Sequence, residues 1–187
     1  MSDLYGRETT LALLHEHTKT DSLRRHAYAV EAAMRASARR TGNDEVYWSA
    51  VGLLHDFDYE MHPEAPDHPL KGAEILRERG YPEEFVRTIL SHASYTDVPR
   101  DNDCARWLFA VDELSGFCMA CAMVQPDRKI AQVKVKSVRK KLKKKDFAAK
   151  VNREEIAEGA VDLGLEQDDI IDHVLAALVE VADDLGL

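Results

Sequence analysis

The sequence contains little of what marks a secreted or membrane-spanning protein. Its three cysteines are odd in number and make no disulfide framework, and its first ten residues (MSDLYGRETT) lack the basic and apolar stretches of a secretory signal. No apolar run approaches the roughly 20 residues that cross a bilayer, and the most apolar stretch, Gly116 to Val124, is short. We therefore expect a cytoplasmic protein without a membrane partner.

Glycine and proline are also scarce, with nine and six residues in a chain of 187. Between them, apolar residues recur at spacings of three and four rather than two, which predicts helices throughout. The alternating stretch from Ile130 to Lys136 is too short to build a sheet. With 45% hydrophobic residues, the chain suffices for one buried core but is short for two ordinary domains. We predict a single all-α bundle over residues 1–187, with its core at about 20–120 and a helical extension at about 125–187.

Capping residues and apolar stripes place the individual helices. A first helix begins at Asp21 or Ser22 and ends at Gly42, because glycine readily adopts the left-handed turn that closes a helix. Asn152, followed three residues later by Glu155, is a capping box that begins another helix. Further helices are predicted from about Asp44 to Asp56, after Pro69, after Pro82, from about Asp103 to Val124 and from about Gln167 to Leu185.

Charge is distributed unevenly along the chain. The whole sequence has a net charge of -9, yet residues 128–150, here called the basic segment, contain 11 lysines and arginines and one acid (net +10), leaving -19 for the remainder. A cationic face can hold a nucleic acid or a phosphorylated ligand, but a block of lysines on a helix is usually its solvated side. No interleaved aromatic residues support nucleic-acid binding, and the acidic remainder would repel a long polyanion.

Three residues of metal-ligand type lie on apolar helix stripes. His26 and His92 each follow an apolar residue by three positions, and Asp112 follows one by four. A buried imidazole or carboxylate costs free energy unless it is hydrogen-bonded, ion-paired or bound to a metal. A single inward histidine is usually a hydrogen-bonded core residue, but several such residues on different helices indicate a shared site.

His55 and Asp56 are adjacent at the end of a predicted helix, in the sequence LLHDFDY. Adjacent helical residues point about 100° apart, so both can face one metal ion only near a helix end. The break before Pro63 supplies such an end. The pair is therefore placed to join a metal site formed with the other helices.

The order of these residues resembles the HD-domain superfamily of metal-dependent phosphohydrolases, whose members are helical bundles with the metal site between central helices. The resemblance rests on the succession H, HD, H, H and D over residues 20–120, found here as His26, His55-Asp56, His68, His92 and Asp112. It implies a first metal ion bound by four of them, His26, His55, Asp56 and Asp112. It implies a second ion bound by His68 and His92, with Asp56 bridging the two.

The chemistry that the resemblance implies is hydrolysis of a phosphoester in a small phosphorylated metabolite or nucleotide. Two divalent cations about 3.5 to 4 Å apart would activate a water molecule and neutralise charge on a phosphoryl oxygen. Ligands without thiolate suit Fe, Mn, Co, Ni, Zn or Mg. Asp56 then takes part in catalysis. Asp58 either fills one of two roles, holding an imidazole or assisting proton transfer, or is an ordinary loop carboxylate or helix cap. Arg25 and Lys71, close in sequence to two of the ligands, are the candidate phosphate contacts, with Lys71 favoured and an exposed surface position as the alternative for both.

The sequence leaves two other functions open. The same six-ligand helical site in myo-inositol oxygenase holds two irons and activates O2, so the chain also resembles a di-iron oxygenase. The second alternative is an RNA-binding module that uses the basic segment and has a structural metal. Gly80-Tyr81-Pro82 spells the GYP triplet of a branch that cleaves cyclic dinucleotides, but it falls between His68 and His92 rather than after the ligands.

Other residues of metal-ligand type are left out of the predicted site. Cys118 and Cys121 form a CxxC motif, but they lie among apolar residues and are interpreted as part of a packed helix. His62 lies between turn residues and matches no position of the pattern.

Overall fold

The computed structural model describes residues 4–187 and shows ten α-helices, two short 3-10 helices and no strand within that range. The all-α prediction is confirmed. Residues 1–3 of the predicted domain lie outside the described residues. In chain order the helices are α1 (Arg7–His17), α2 (Asp21–Thr41), α3 (Glu45–Leu54), α4 (Asp67–Glu78), α5 (Glu83–Leu90), α6 (Asp103–Met123), α7 (Val135–Leu142), α8 (Arg153–Leu163), α9 (Gln167–Glu180) and α10 (Ala182–Leu185).

Two helices of 21 residues each, α2 and α6, form the centre of the bundle. Helix α2 packs against α3, α6 and α9, and α6 packs also against α8 and α9. One face of α2 buries Ala27, Val30 and Met34, while α6 is buried along most of its length. Because α2 carries His26 and α6 carries Asp112, the packing of the two central helices brings two predicted ligands together.

Local hydrogen bonds and one glycine fix where these helices begin and end. The side chain of Asp44 accepts two backbone N–H bonds at the start of α3, and that of Asn102 accepts one at the start of α6. Such bonds satisfy N–H groups that have no partner inside the helix. Gly42 ends α2 at a φ of 72°, in the left-handed conformation that the sequence predicts.

Two glycines allow helices to approach each other closely around the site. A Cβ at Gly52 of α3 would lie 2.8 Å from the carbonyl oxygen of Val30 in α2. A Cβ at Gly159 of α8 would lie 2.6 Å from the Cα of Ala110 in α6. Neither distance leaves room for a side chain in a close-packed interior. Helix α3 therefore lies directly against α2, and α8 directly against α6.

The structure departs from the predicted helices mainly at their ends. The last predicted helix is divided into α9 and α10, because Val181 has non-helical dihedral angles (φ -122°, ψ 22°). Asn152 caps α8, but its backbone N–H donates to Glu113 and not to Glu155, so the capping box is half formed. Helix α1, whose apolar residues form only a weak stripe, has no counterpart in the sequence prediction.

The basic segment contains a 3-10 turn, α7 and the loop that follows it. Val138 is the fully buried residue of α7, while Lys136 and Lys140 of this helix are exposed. Within residues 4–187, every helix is too short or too polar to cross a membrane.

We expect Gly52→Ala to lower the free energy of unfolding by about 1–3 kcal/mol, because the new Cβ must push α2 and α3 apart. Urea unfolding followed by circular dichroism measures this. Gly116→Ala is the matched control, since a Cβ on this helical glycine would meet only the His26 ring, at an ordinary 3.6 Å. The control should be as stable as the parent or more stable by up to about 1 kcal/mol. Equal stability of the two variants would contradict the close approach of α2 and α3.

Candidate metal centre

The predicted HD pair lies where α3 ends. His55 follows the last residue of α3, and Asp56 begins the turns that come after it. The hydroxyl of Thr18 donates to the carbonyl oxygen of Phe57 at 2.9 Å. The carboxylate of Glu60 accepts two backbone N–H bonds from the turn between α1 and α2. These contacts hold the loop after α3 against that turn, so the HD pair has a fixed position.

His26, His55 and Asp112 form the first of two groups of candidate ligands. The Nε2 atoms of His26 and His55 lie 3.0 and 3.3 Å from Oδ1 of Asp112. The three ligand atoms lie within 4.8 Å of one another. Ligand atoms about 2.0–2.2 Å from one metal ion are about 3–4 Å apart, so the spacing suits a shared ion.

Asp56, His68 and His92 form the second group. The Nε2 atoms of His68 and His92 lie 3.2 and 3.3 Å from Oδ1 of Asp56. The other oxygen of this carboxylate, Oδ2, lies 3.6 Å from Nε2 of His55 and 3.8 Å from that of His26. Asp56 thus lies between the two groups, with one oxygen toward each. The structure brings all six predicted ligands into one cluster.

Hydrogen bonds on the far side of the rings orient the histidines. Nδ1 of His55 lies 2.8 Å from the carbonyl oxygen of Gly52, and Nδ1 of His92 lies 2.6 Å from that of Ile89. Because a carbonyl oxygen only accepts, each Nδ1 must carry the proton that it donates. A neutral ring then directs the lone pair of Nε2 into the cluster, which is the tautomer that a metal ligand requires.

Asp58 supports His68 in the same way. Its carboxylate is fully buried, accepts from Nδ1 of His68 at 2.9 Å and accepts the backbone N–H of Gly72 at 2.9 Å. A Cβ at position 72 would lie 2.6 Å from Cγ of Asp58, so glycine is needed for this contact. Of the two roles predicted for Asp58, the geometry favours holding an imidazole over proton transfer, because its carboxylate is turned away from the open side of the cluster.

The electrostatics of the cluster favour positive charge among the histidines. Burial lowers the pKa of His55, but the attraction of Asp56 and Asp112 outweighs burial and raises this pKa to about 10. Burial also lowers the pKa of His68, yet its hydrogen bonds to Asp56 and Asp58 raise it to about 9. A divalent cation supplies the same positive charge to the carboxylates without protonating the rings.

The environment of one buried atom, Nε2 of His55, suits a bound metal in particular. Nε2 of His55 is fully enclosed and has no hydrogen-bond partner among the described residues, because the approach of Asp112 at 3.3 Å lacks hydrogen-bond geometry. An unpaired buried nitrogen is costly unless something else satisfies it. A donor set of four imidazoles and two carboxylates suits divalent transition metals. The side chains present therefore fit one or two such ions.

The cluster opens into a cleft of about 440 Å³. Besides five of the candidate ligands, the cleft is lined by residues from four parts of the chain: Tyr59, Pro63 and Ala65; Ala93, Ser94 and Tyr95; Glu113 and Gly116; and Lys150, Val151 and Glu155. Burial, with repulsion from Asp112, raises the pKa of Glu113 to about 7. The pKa of Glu155 is raised for the same two reasons. Both acids lie beside the predicted ligands on the wall that the C-terminal helices complete.

The two predicted phosphate contacts lie outside this cleft. Lys71 is exposed and pairs with Glu74 at 3.0 Å. It does not lie one helical turn from His68, because His68 has non-helical dihedral angles (φ -79°, ψ 135°) and regular helix begins only after it. Arg25 is exposed beside Gly186, near the end of the chain. Lys150, the last residue of the basic segment, lines the cleft instead, although sequence reasoning gave this residue no individual role because it has no spacing relation to any predicted ligand.

Residues left out of the predicted site also lie elsewhere. His62 does not line the cleft. Cys118 and Cys121 are buried free thiols on α6, which confirms their interpretation as part of a packed helix.

Comparison with known proteins gives one family match. The family model for the HD domain matches residues 23–116, a range that contains all six candidate ligands. No curated protein and no solved structure matches this chain. The family match covers half of the chain, and the matched half supplies every side chain of the cluster. The chain therefore belongs to the HD-domain family.

Proposed function

We propose that the chain is a metal-dependent phosphohydrolase that uses two divalent ions to cleave a phosphoester in a small phosphorylated metabolite or nucleotide. The observation that carries the proposal is the pair of adjacent ligand groups with Asp56 between them. HD domains are typically metal-dependent hydrolases, which supports the assignment. Bound ions would supply Lewis acidity and an activated water molecule.

The residues of the chain would hold and shape the site. Gly52, Ile89 and Asp58 orient three imidazoles so that each presents Nε2 to the cluster. The hydroxyl of Tyr95 donates to the carbonyl oxygen of His68 at 2.5 Å, which ties the wall of the cleft to a ligand. A cleft of about 440 Å³ is within the size range of small-molecule sites. This supports a small substrate and not a macromolecular one.

We also propose that residues 1–187 form one domain. The cleft takes residues from both the matched region and the C-terminal extension, including Lys150 and Glu155. Helix α8 packs on α6 at Gly159, with no room for a side chain between them. An extension that completes a cavity wall and shares a packed interface is expected to unfold together with the rest of the bundle.

His55→Ala and Asp56→Ala should each lose most of the bound metal and the phosphatase activity together, because each removes a donor at the centre of the cluster. Metal content is measured by elemental analysis of protein purified without added metal, and activity by phosphate release over nucleotides and sugar phosphates. His62→Ala is the control, since this histidine is close in sequence but does not line the cleft. Full metal occupancy in either ligand variant would contradict the assignment.

The parent protein should bind two equivalents of metal and release phosphate with Mn or Co under anaerobic conditions. Oxygen uptake together with a mixed-valence iron signal and no phosphate release would instead identify an oxygenase and contradict the hydrolase proposal.

Asp58→Asn should weaken binding of the second ion by about 10- to 100-fold and leave the first ion in place, because Asp58 orients His68 alone among the ligands. Stepwise titration of metal-free protein measures both affinities, and circular dichroism checks that the variant is folded. Asp67→Asn is the matched control, since this exposed carboxylate adjoins His68 in sequence. Equal loss of both ions would argue against two separate groups.

A further inference from the structure

The cleft includes residues that lie outside the region matched by the HD domain. Lys150, Val151 and Glu155 line its wall, whereas the family match ends at residue 116. They come from the loop between α7 and α8 and from the first turn of α8. The basic segment therefore ends at the cleft, although most of its lysines are on the solvated surface.

Contacts of Arg153 fix this loop in place. Its guanidinium donates to the carbonyl oxygens of Ala148 at 3.0 Å and Val151 at 2.6 Å, and also to that of Phe147. The same group lies 5.3 Å from the centre of the Phe117 ring on α6. Bonds to several carbonyl groups on both sides of position 150 hold the backbone there, so the Cα from which the Lys150 side chain extends has a defined position at the rim.

Lys150 differs in charge from the other residues that line the cleft. Among the described residues that line the cleft, four carry carboxylates (Asp56, Asp112, Glu113 and Glu155) and Lys150 is the single cation apart from the histidines. Within residues 4–187, Lys150 forms no ion pair. Two divalent ions would balance the four carboxylates, and the lysine would then leave a net positive charge. Such a balance favours an anionic ligand.

We infer that Lys150 binds the anionic group of the substrate, so that the C-terminal extension supplies the phosphate contact of the site. This inference rests on the proposed function. A lysine ammonium is a point charge with three donors on a flexible stem, which lets it reach a phosphoryl oxygen from the rim. Phosphate oxygens held by metal ions on one side and by an ammonium group on the other are charge-balanced. Lys150 takes the role that sequence proximity suggested for Arg25 and Lys71.

Binding of inorganic phosphate to the metal-loaded full chain, measured by isothermal titration calorimetry, tests this inference. Lys150→Ala should weaken phosphate binding by about 10-fold, the order expected when one charge-assisted hydrogen bond is lost. Lys150→Arg should stay within about 3-fold of the parent protein, because it keeps the charge. Metal content should be the same in all variants. Lys136→Ala, which removes an exposed lysine of α7, is the charge-matched control and should bind phosphate as the parent does.

The possible results separate this inference from the proposed function. Phosphate release by the parent protein, with phosphate affinity equal in Lys150→Ala and Lys136→Ala, would overturn the role of Lys150 alone. A metal-loaded parent that binds no phosphate would overturn both. Selective weakening in Lys150→Ala, restored by arginine, supports the inference even if the natural substrate is not among those screened.

Discussion

The central constraint on this fold is the cost of burying a cluster of imidazoles and carboxylates. Each such group loses hydration on burial, and the loss is offset only by partners placed at the right distance. Asp56 is the shared partner, because its two oxygens face the two histidine groups at 3.2 to 3.8 Å. Three helices (α2, α4 and α6) and the loops after α3 and α5 must therefore meet at one point. Gly52 lets α3 lie directly against α2, and Gly42 ends α2 in a left-handed turn, so both glycines help to bring these segments together.

A second layer of contacts determines what the cluster can do. Backbone carbonyls fix His55 and His92, whereas His68 depends on the side chain of Asp58. The difference follows from local structure. His55 and His92 come within two residues of a helix end, where carbonyl groups of the last turn can accept a side-chain bond, while His68 precedes the regular part of α4 and finds no such carbonyl. For His68, the buried carboxylate of Asp58, packed against Gly72, therefore accepts the Nδ1 hydrogen bond that a helix-end carbonyl accepts from His55 and from His92.

Sequence reasoning predicted the helices from local spacing, and it predicted the candidate ligands from apolar stripes together with the family resemblance. Apolar periodicity and caps gave α2, α3 and α6 to within one or two residues, and His26 and Asp112 were visible as polar residues on apolar stripes. The phosphate contact that we propose could not be predicted from local spacing. Lys71 was chosen for a one-turn offset that the non-helical backbone at His68 cancels, and Lys150 reaches the cleft only through the loop that Arg153 holds. Tertiary contacts between distant segments leave no periodic signal.

The distribution of charge along the chain and around the cleft supports the small anionic substrate that we propose over a long polyanion. Glu113 and Glu155 lie on the cleft wall, where they would repel every phosphate of a polyanion that is not in contact with the metal centre or with Lys150. A molecule with one reacting phosphoryl group places its negative charge only beside the metal centre and Lys150, where the electrostatic interaction is attractive. The exposed lysines of α7 can raise the local concentration of such an anion from a distance, but this attraction falls off over about 8–10 Å at ordinary salt. In the function that we propose, recognition of the phosphoryl group therefore depends on Lys150 at the rim.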